Sequence, residues 1–95
     1  MTNQISDLSF AVSPEAAASL HESGIVILHA GKGCLFASNV TGARIWRGVE
    51  QRLPLEVIAE EISREYEITQ ATAREDTERF LAELERHSLI QREEV

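Results

Sequence analysis

The chain has 95 residues, 43% of them hydrophobic, enough for one modest core and too few for a second domain or a deep enzyme cavity. Sixteen acidic residues oppose nine basic ones, and the net charge of −7 repels nucleic acid unless a local basic stripe overrides it. One cysteine, Cys34, excludes an internal disulfide and suits a reducing compartment.

The first residues, MTNQISD, have neither a basic n-region nor an apolar h-region, and residues 1–6 are expected to be flexible. The longest apolar run, Ile25 to Leu28, is far short of the roughly 20 residues of a membrane span, so a cytoplasmic protein without a membrane partner is expected. Ser9 to Val12 reads as a short edge strand, ended by the Ser13-Pro14 step. PEAAASLHES, residues 14–23, reads either as a turn of helix or as a connecting segment with local helical character.

GIVILH and CLFAS flank AGKG, whose two glycines suit a four-residue hairpin loop. Alternation in CLFAS places Leu35 and Ala37 on one face and Cys34, Phe36 and Ser38 on the other. The period then changes from two to 3.6. Asn39 or Thr41 can cap a helix that buries Ile45, Trp46 and Val49 and ends near Arg52. Pro54 at a first helical position opens a second helix, with Leu55, Ile58, Ala59, Ile62 and Tyr66 on one stripe. Thr72-x-x-Glu75 has the form of a capping box for a third helix that runs to about His87, and Leu89-Ile90-Gln91 follows as a short strand or packing tail. Strands first and three helices after define an α+β domain spanning 1–95: a winged-helix-like, three-stranded antiparallel sheet followed by three helices.

Chemical readings fare poorly. Cys34 with His21, His29 or His87 as base is a conceivable nucleophile, yet it opens a strand and no nucleophile elbow precedes it. His29 and Cys34 approach across the hairpin, and two ligands do not hold zinc. Gly31-Lys32-Gly33 lacks the spacing of a phosphate loop. No catalytic group, metal or cofactor is therefore expected. The third helix carries Arg74, Arg79 and Arg86 against Glu75, Asp76, Glu78, Glu83 and Glu85, and three minus five is −2, the wrong sign for a DNA-recognition helix. What remains is recognition of a polypeptide at an open strand edge and the groove beside it.

From Gly24 to Ile90 the ordered set GIVILH, the glycine-bearing hairpin, LFASNVTGARIW, IAEEISREYEI, Asp76 with Phe80-Leu81, and the closing LI resembles the PqqD-like family. These are the recognition elements of ribosomally made, post-translationally modified peptides (RiPPs). The resemblance implies a non-catalytic domain that binds the leader of a precursor peptide as an added strand beside its third strand and against its third helix. It also implies delivery to a modifying enzyme or leader protease, of the radical SAM or cysteine protease kind. Carried over by position, the strand edge is Cys34, Leu35, Phe36, Ala37 and Ser38. The helix contributes Asp76, Thr77, Phe80 and Leu84, with Arg74 at the groove mouth, while Ile45 and Trp46 pack beneath the sheet. Ser38 stands where many members have leucine, and ISREYEI with ARIW looks closer to the free-standing proteins of lasso-peptide pathways than to the cofactor-biosynthesis branch. Without leader, a monomer or a weak edge-paired dimer is expected. The alternative to this reading is a winged-helix DNA-binding transcription regulator.

Overall fold

The structure, a computed structural model, describes residues 8–93. The expected flexibility of residues 1–6 concerns positions outside that range. In chain order the elements are β1 (Ser9–Val12), β2 (Ala16–His21), β3 (Gly24–His29), β4 (Cys34–Ser38), α1 (Val40–Glu50), α2 (Leu55–Tyr66), α3 (Gln70–Arg86) and β5 (Ile90–Glu93). The expected fold class holds: a three-stranded antiparallel sheet, order β2-β3-β4, precedes three helices.

The membership of that sheet differs from the sequence reading in one strand. AAASLH is not a turn of helix or a connector. It is β2, paired with β3 from Ala16 opposite His29 to His21 opposite Gly24. Alanine favours helices by only a few tenths of a kcal/mol per residue, which six paired positions along β3 outweigh. β1 instead pairs with β5, Ser9 opposite Glu93 through Val12 opposite Ile90, in a separate two-stranded ribbon that ties the two ends of the described chain together.

The β3–β4 hairpin is in the expected register, His29 opposite Cys34 and Ile25 opposite Ser38, with Gly33 at φ 66 in its loop. β3 buries Ile25 and Ile27 on its inner face, while Leu28, on the outer face, is opposite Leu35. Against the inner face lie Ile45, Trp46 and Val49 of α1, and Leu55, Ile58 and Ile62 of α2 continue the same core. Trp46 remains satisfied within it because its Nε1–H donates to Glu50 Oε2 at 3.0 Å. Phe10, Leu89 and Ile90 close the core from the ribbon side.

Helix ends follow local chemistry. Asn39 caps α1, its Oδ1 accepting the Gly42 N–H at 3.0 Å. Pro54 takes the N-cap of α2, one position before the expected one, and its carbonyl accepts the Val57 N–H at 3.0 Å and the Ile58 N–H at 3.1 Å. Thr69, rather than Thr72, caps α3, and Thr69 Oγ1 accepts the Thr72 N–H at 3.1 Å. Thr72 therefore sits inside the first turn, where a capping box cannot start. Among the described residues no helix is long and apolar enough to cross a membrane.

Candidate functional site

β4 pairs with β3 on one side only, and no described strand occupies the other. An antiparallel strand directs the N–H and C=O of alternate residues to each side, so every second residue of β4 offers unused main-chain groups along this edge. Five residues of open edge are enough to receive an extended peptide.

Beside this edge runs α3. Phe36, the half-buried centre of β4, meets Phe80 of α3 with ring centroids 5.9 Å apart, and on its other side meets His87 at 5.2 Å. The three rings form a row along the junction of strand and helix. At the Phe80 end the groove deepens into a pocket of about 360 Å³ lined by Ser38, Asn39 and Thr41 from the strand-to-helix corner and by Asp76, Arg79, Phe80 and Glu83 from α3. Asp76 accepts a hydrogen bond from Arg79 at 3.2 Å, so the pair is nearly neutral as a unit and Glu83 leaves the pocket net acidic.

Helical arithmetic explains which residues reach the groove. Asp76, Phe80 and Glu83 fall at i, i+4 and i+7 and form one stripe. Ala73, Thr77, Leu81 and Leu84 form the neighbouring stripe and are buried in the core. Arg74 lies on a third face, where it pairs with Glu56 of α2 at 2.9 Å and with Glu78 at 3.2 Å. The structure thus brings Phe36, Ser38, Asp76 and Phe80 together, seats Thr77 and Leu84 behind the groove wall, and places Arg74 away from the groove mouth assigned to it. Arg79, Glu83, Asn39, Thr41 and the His87 ring also line the groove, beyond the residues expected from the sequence, and the 76-80-83 spacing is the sequence signal for Glu83.

Cys34 is exposed, and its Sγ lies 3.7 Å from the Lys32 carbonyl. His29 faces it across the hairpin, yet the His29 Nδ1 accepts the Lys32 main-chain N–H. Among the described residues no group of three or more His, Cys, Asp or Glu side chains is placed to hold a metal ion.

Residues 24–90 match the family described as Coenzyme PQQ synthesis protein D (PqqD). The chain belongs to the PqqD family. The matched stretch runs from β3 to the first residue of β5 and so contains both walls of the groove. Among solved structures, TbiB1 in complex with the TbiA(beta) leader peptide superposes on this PqqD domain with a TM-score of 0.80 at 27% identity, over 85% of this chain and 94% of that one. Lasso peptide synthetase B1 complexed with the leader peptide superposes equally well, TM-score 0.80, at 22% identity over 87% of this chain and 98% of that one, and shows the shared fold. No curated protein sequence matches the chain.

Among the described residues of the PqqD domain one side-chain polar atom is buried without a partner: the Thr77 hydroxyl, in a residue 0% exposed. Removing the hydroxyl while keeping the shape relieves its desolvation. Thr77→Val is therefore expected to raise stability by about 1 kcal/mol, seen as a melting temperature higher by about 4–8 °C. An unchanged or lower value would show that Thr77 finds a partner in solution.

Proposed function

We propose that this PqqD-family domain is a non-catalytic adaptor that binds the leader segment of a ribosomal precursor peptide by strand addition to β4 and delivers it to a modifying enzyme or leader protease of a lasso-peptide or related RiPP pathway. The observation that carries the reading is the unpaired β4 edge lying beside an aromatic row and a polar pocket on α3. Family membership and the leader-bound relative at 27% identity support it. Main-chain bonds along the edge supply affinity that depends little on sequence, and the groove reads every second side chain of the added strand. The net charge of −7 and the acidic pocket favour leaders with basic or neutral polar residues.

The test is fluorescence anisotropy of labelled leader peptides from short precursor genes beside this one. Saturable binding with a Kd near or below about 1 μM, or about 8 kcal/mol, is expected. No binding by any of them, to a folded monomeric protein, overturns the assignment. Strand addition itself has a sharper signature: N-methylation at every second residue of the bound segment should abolish binding in one parity and be tolerated in the other, because only one set of amides faces β4. Equal tolerance of both parities would mean a side-chain complex without strand pairing.

A further inference from the structure

The tip of the β3–β4 hairpin, residues 30–33, is bonded to three parts of the fold. The Ala30 N–H donates to the Glu15 carbonyl at 2.9 Å. The Lys32 N–H donates to His29 Nδ1 at 3.1 Å. Lys32 Nζ reaches across to Ser88 Oγ at 2.8 Å. Ser88 directly follows His87, the C-cap of α3, and Cys34 directly follows the hairpin loop. The Lys32–Ser88 bond therefore ties the start of β4 to the end of α3, the two walls of the groove where Phe36 meets His87.

His29 is the hinge of this arrangement. It is 8% exposed, and in this arrangement its Nδ1 serves as the acceptor of the Lys32 main-chain N–H. Glu15 places its Oε1 3.8 Å from the same Nδ1. The other groups around the ring are Lys32 from the hairpin, Cys34 opposite on β4, and Glu85 of α3, whose carboxylate is held by Arg92 at 3.0 Å; Ser13, Ser88 and Gln91 line the same cavity and carry no charge.

We propose that His29 makes the hairpin tip a proton-sensitive latch on the groove. A proton taken from solvent at Nδ1 turns an acceptor into a donor: the Lys32 N–H loses its partner, the ring N–H turns to the Glu15 carboxylate, and the Lys32–Ser88 tie loosens. Acidification then frees the β4 wall from the α3 wall at the His87 end. The effect on peptide affinity rests on the leader-binding reading, whereas the latch itself does not.

Nuclear magnetic resonance of the full-length protein, titrated from about pH 8 to about pH 5, the range over which histidines change charge, tests the latch without any peptide. The Lys32 amide signal is expected to move with the midpoint of the His29 ring signals, and the Ser88 amide, next to the exposed His87, is expected to do the same in a His87→Gln background where the neighbouring ring is gone. Each should be flat when His29→Asn is added in the same background, because its short amide keeps an acceptor for Lys32 but does not titrate. Glu15→Gln alters an exposed residue and keeps the test alive if the buried substitution unfolds the protein; it removes the negative charge facing the protonated ring and should move the amide transition to lower pH. A His29 ring that titrates while the two amides stay still, or an amide transition that persists in His29→Asn, overturns the latch. For the leader peptide, affinity should fall at least about fivefold across the same transition in wild type and not in His29→Asn. Failure to bind at every pH counts against the adaptor reading, while the amide titration still decides the latch.

Discussion

Phe36→Asp is expected to weaken leader binding at least about a hundredfold, about 2.7 kcal/mol, in a protein that still melts cooperatively. The Phe36 ring packs against both Phe80 and His87, so it makes the row continuous. An added strand covers this position from the side and excludes water from it, and a carboxylate there must lose hydration without gaining a partner. The same carboxylate stays solvated in the free protein, because Phe36 is only half buried and β4 is an edge strand whose pairing with β3 uses main-chain atoms. Stability is therefore expected to fall by no more than about 2 kcal/mol. Leu35→Asp is the control: Leu35 is 69% exposed on the opposite face, so it adds the same charge one residue away without entering the groove. Calorimetric titration of one leader into the three proteins, with thermal unfolding of each, separates the cases. A comparable loss in both variants would make net charge, and not the groove, the cause. Undiminished affinity in Phe36→Asp would move the binding surface away from β4.

Much of the groove was legible because its parts are local. The hairpin announces itself through AGKG between two apolar runs, and the alternation of CLFAS separates Cys34, Phe36 and Ser38 from Leu35 and Ala37, of which the structure half-buries Phe36 and Ser38 and leaves Cys34, Leu35 and Ala37 exposed. α2 follows from one apolar stripe and α1 from the Asn39 cap. The misreadings arise where distant contacts decide. Ala16–His21 has no strand signature of its own, and only its pairing with β3 over all six positions makes it β2. β1 finds its partner at the far end of the described chain, in a strand whose first residue Ile90 packs in the core, and nothing near Ser9 encodes that meeting.

The helix residues of the site were limited by angle. Family position groups Arg74, Asp76, Thr77, Phe80 and Leu84, yet successive residues on a helix stand about 100° apart, and these five spread over three faces of α3. Packing assigns the faces: α2 takes the side of Arg74 through Glu56, the core takes Thr77 and Leu84, and the groove keeps Asp76 and Phe80. That Arg79 and Glu83 share the groove depends on how α3 rolls against α1 and β4, a rotation set by which side chains the core accepts. Sequence periodicity identifies the stripes and leaves open which of the two polar-flanked ones faces the open edge.

Gly24→Ala should be the most damaging single-methyl change in the domain, lowering stability by about 3 kcal/mol and the melting temperature by about 12–24 °C. Gly24 is buried at the first position of β3 with φ 153, a conformation that side chains with a Cβ rarely adopt. A Cβ there would run into the Ser38 carbonyl and come within 2.9 Å of the Asn39 Cα and 3.0 Å of its carbonyl carbon. All of these are main-chain atoms, which cannot rotate aside as a side-chain tip would. Relief requires moving the junction at which β4 ends and α1 begins, and that junction carries Ser38, Asn39 and Thr41 into the pocket. Affinity for the leader should therefore fall along with stability, even at temperatures where the variant is fully folded. Gly33→Ala separates the two causes of damage: Gly33 has φ 66, and nothing lies within 4 Å of its added Cβ. It should lose only the backbone term, about 1 kcal/mol, and leave the junction in place. Equal losses in the two variants would mean that backbone strain alone accounts for Gly24. A Gly24→Ala loss well above that of Gly33→Ala, accompanied by weaker binding, would show that close contact between β3 and the end of β4 holds the pocket in shape.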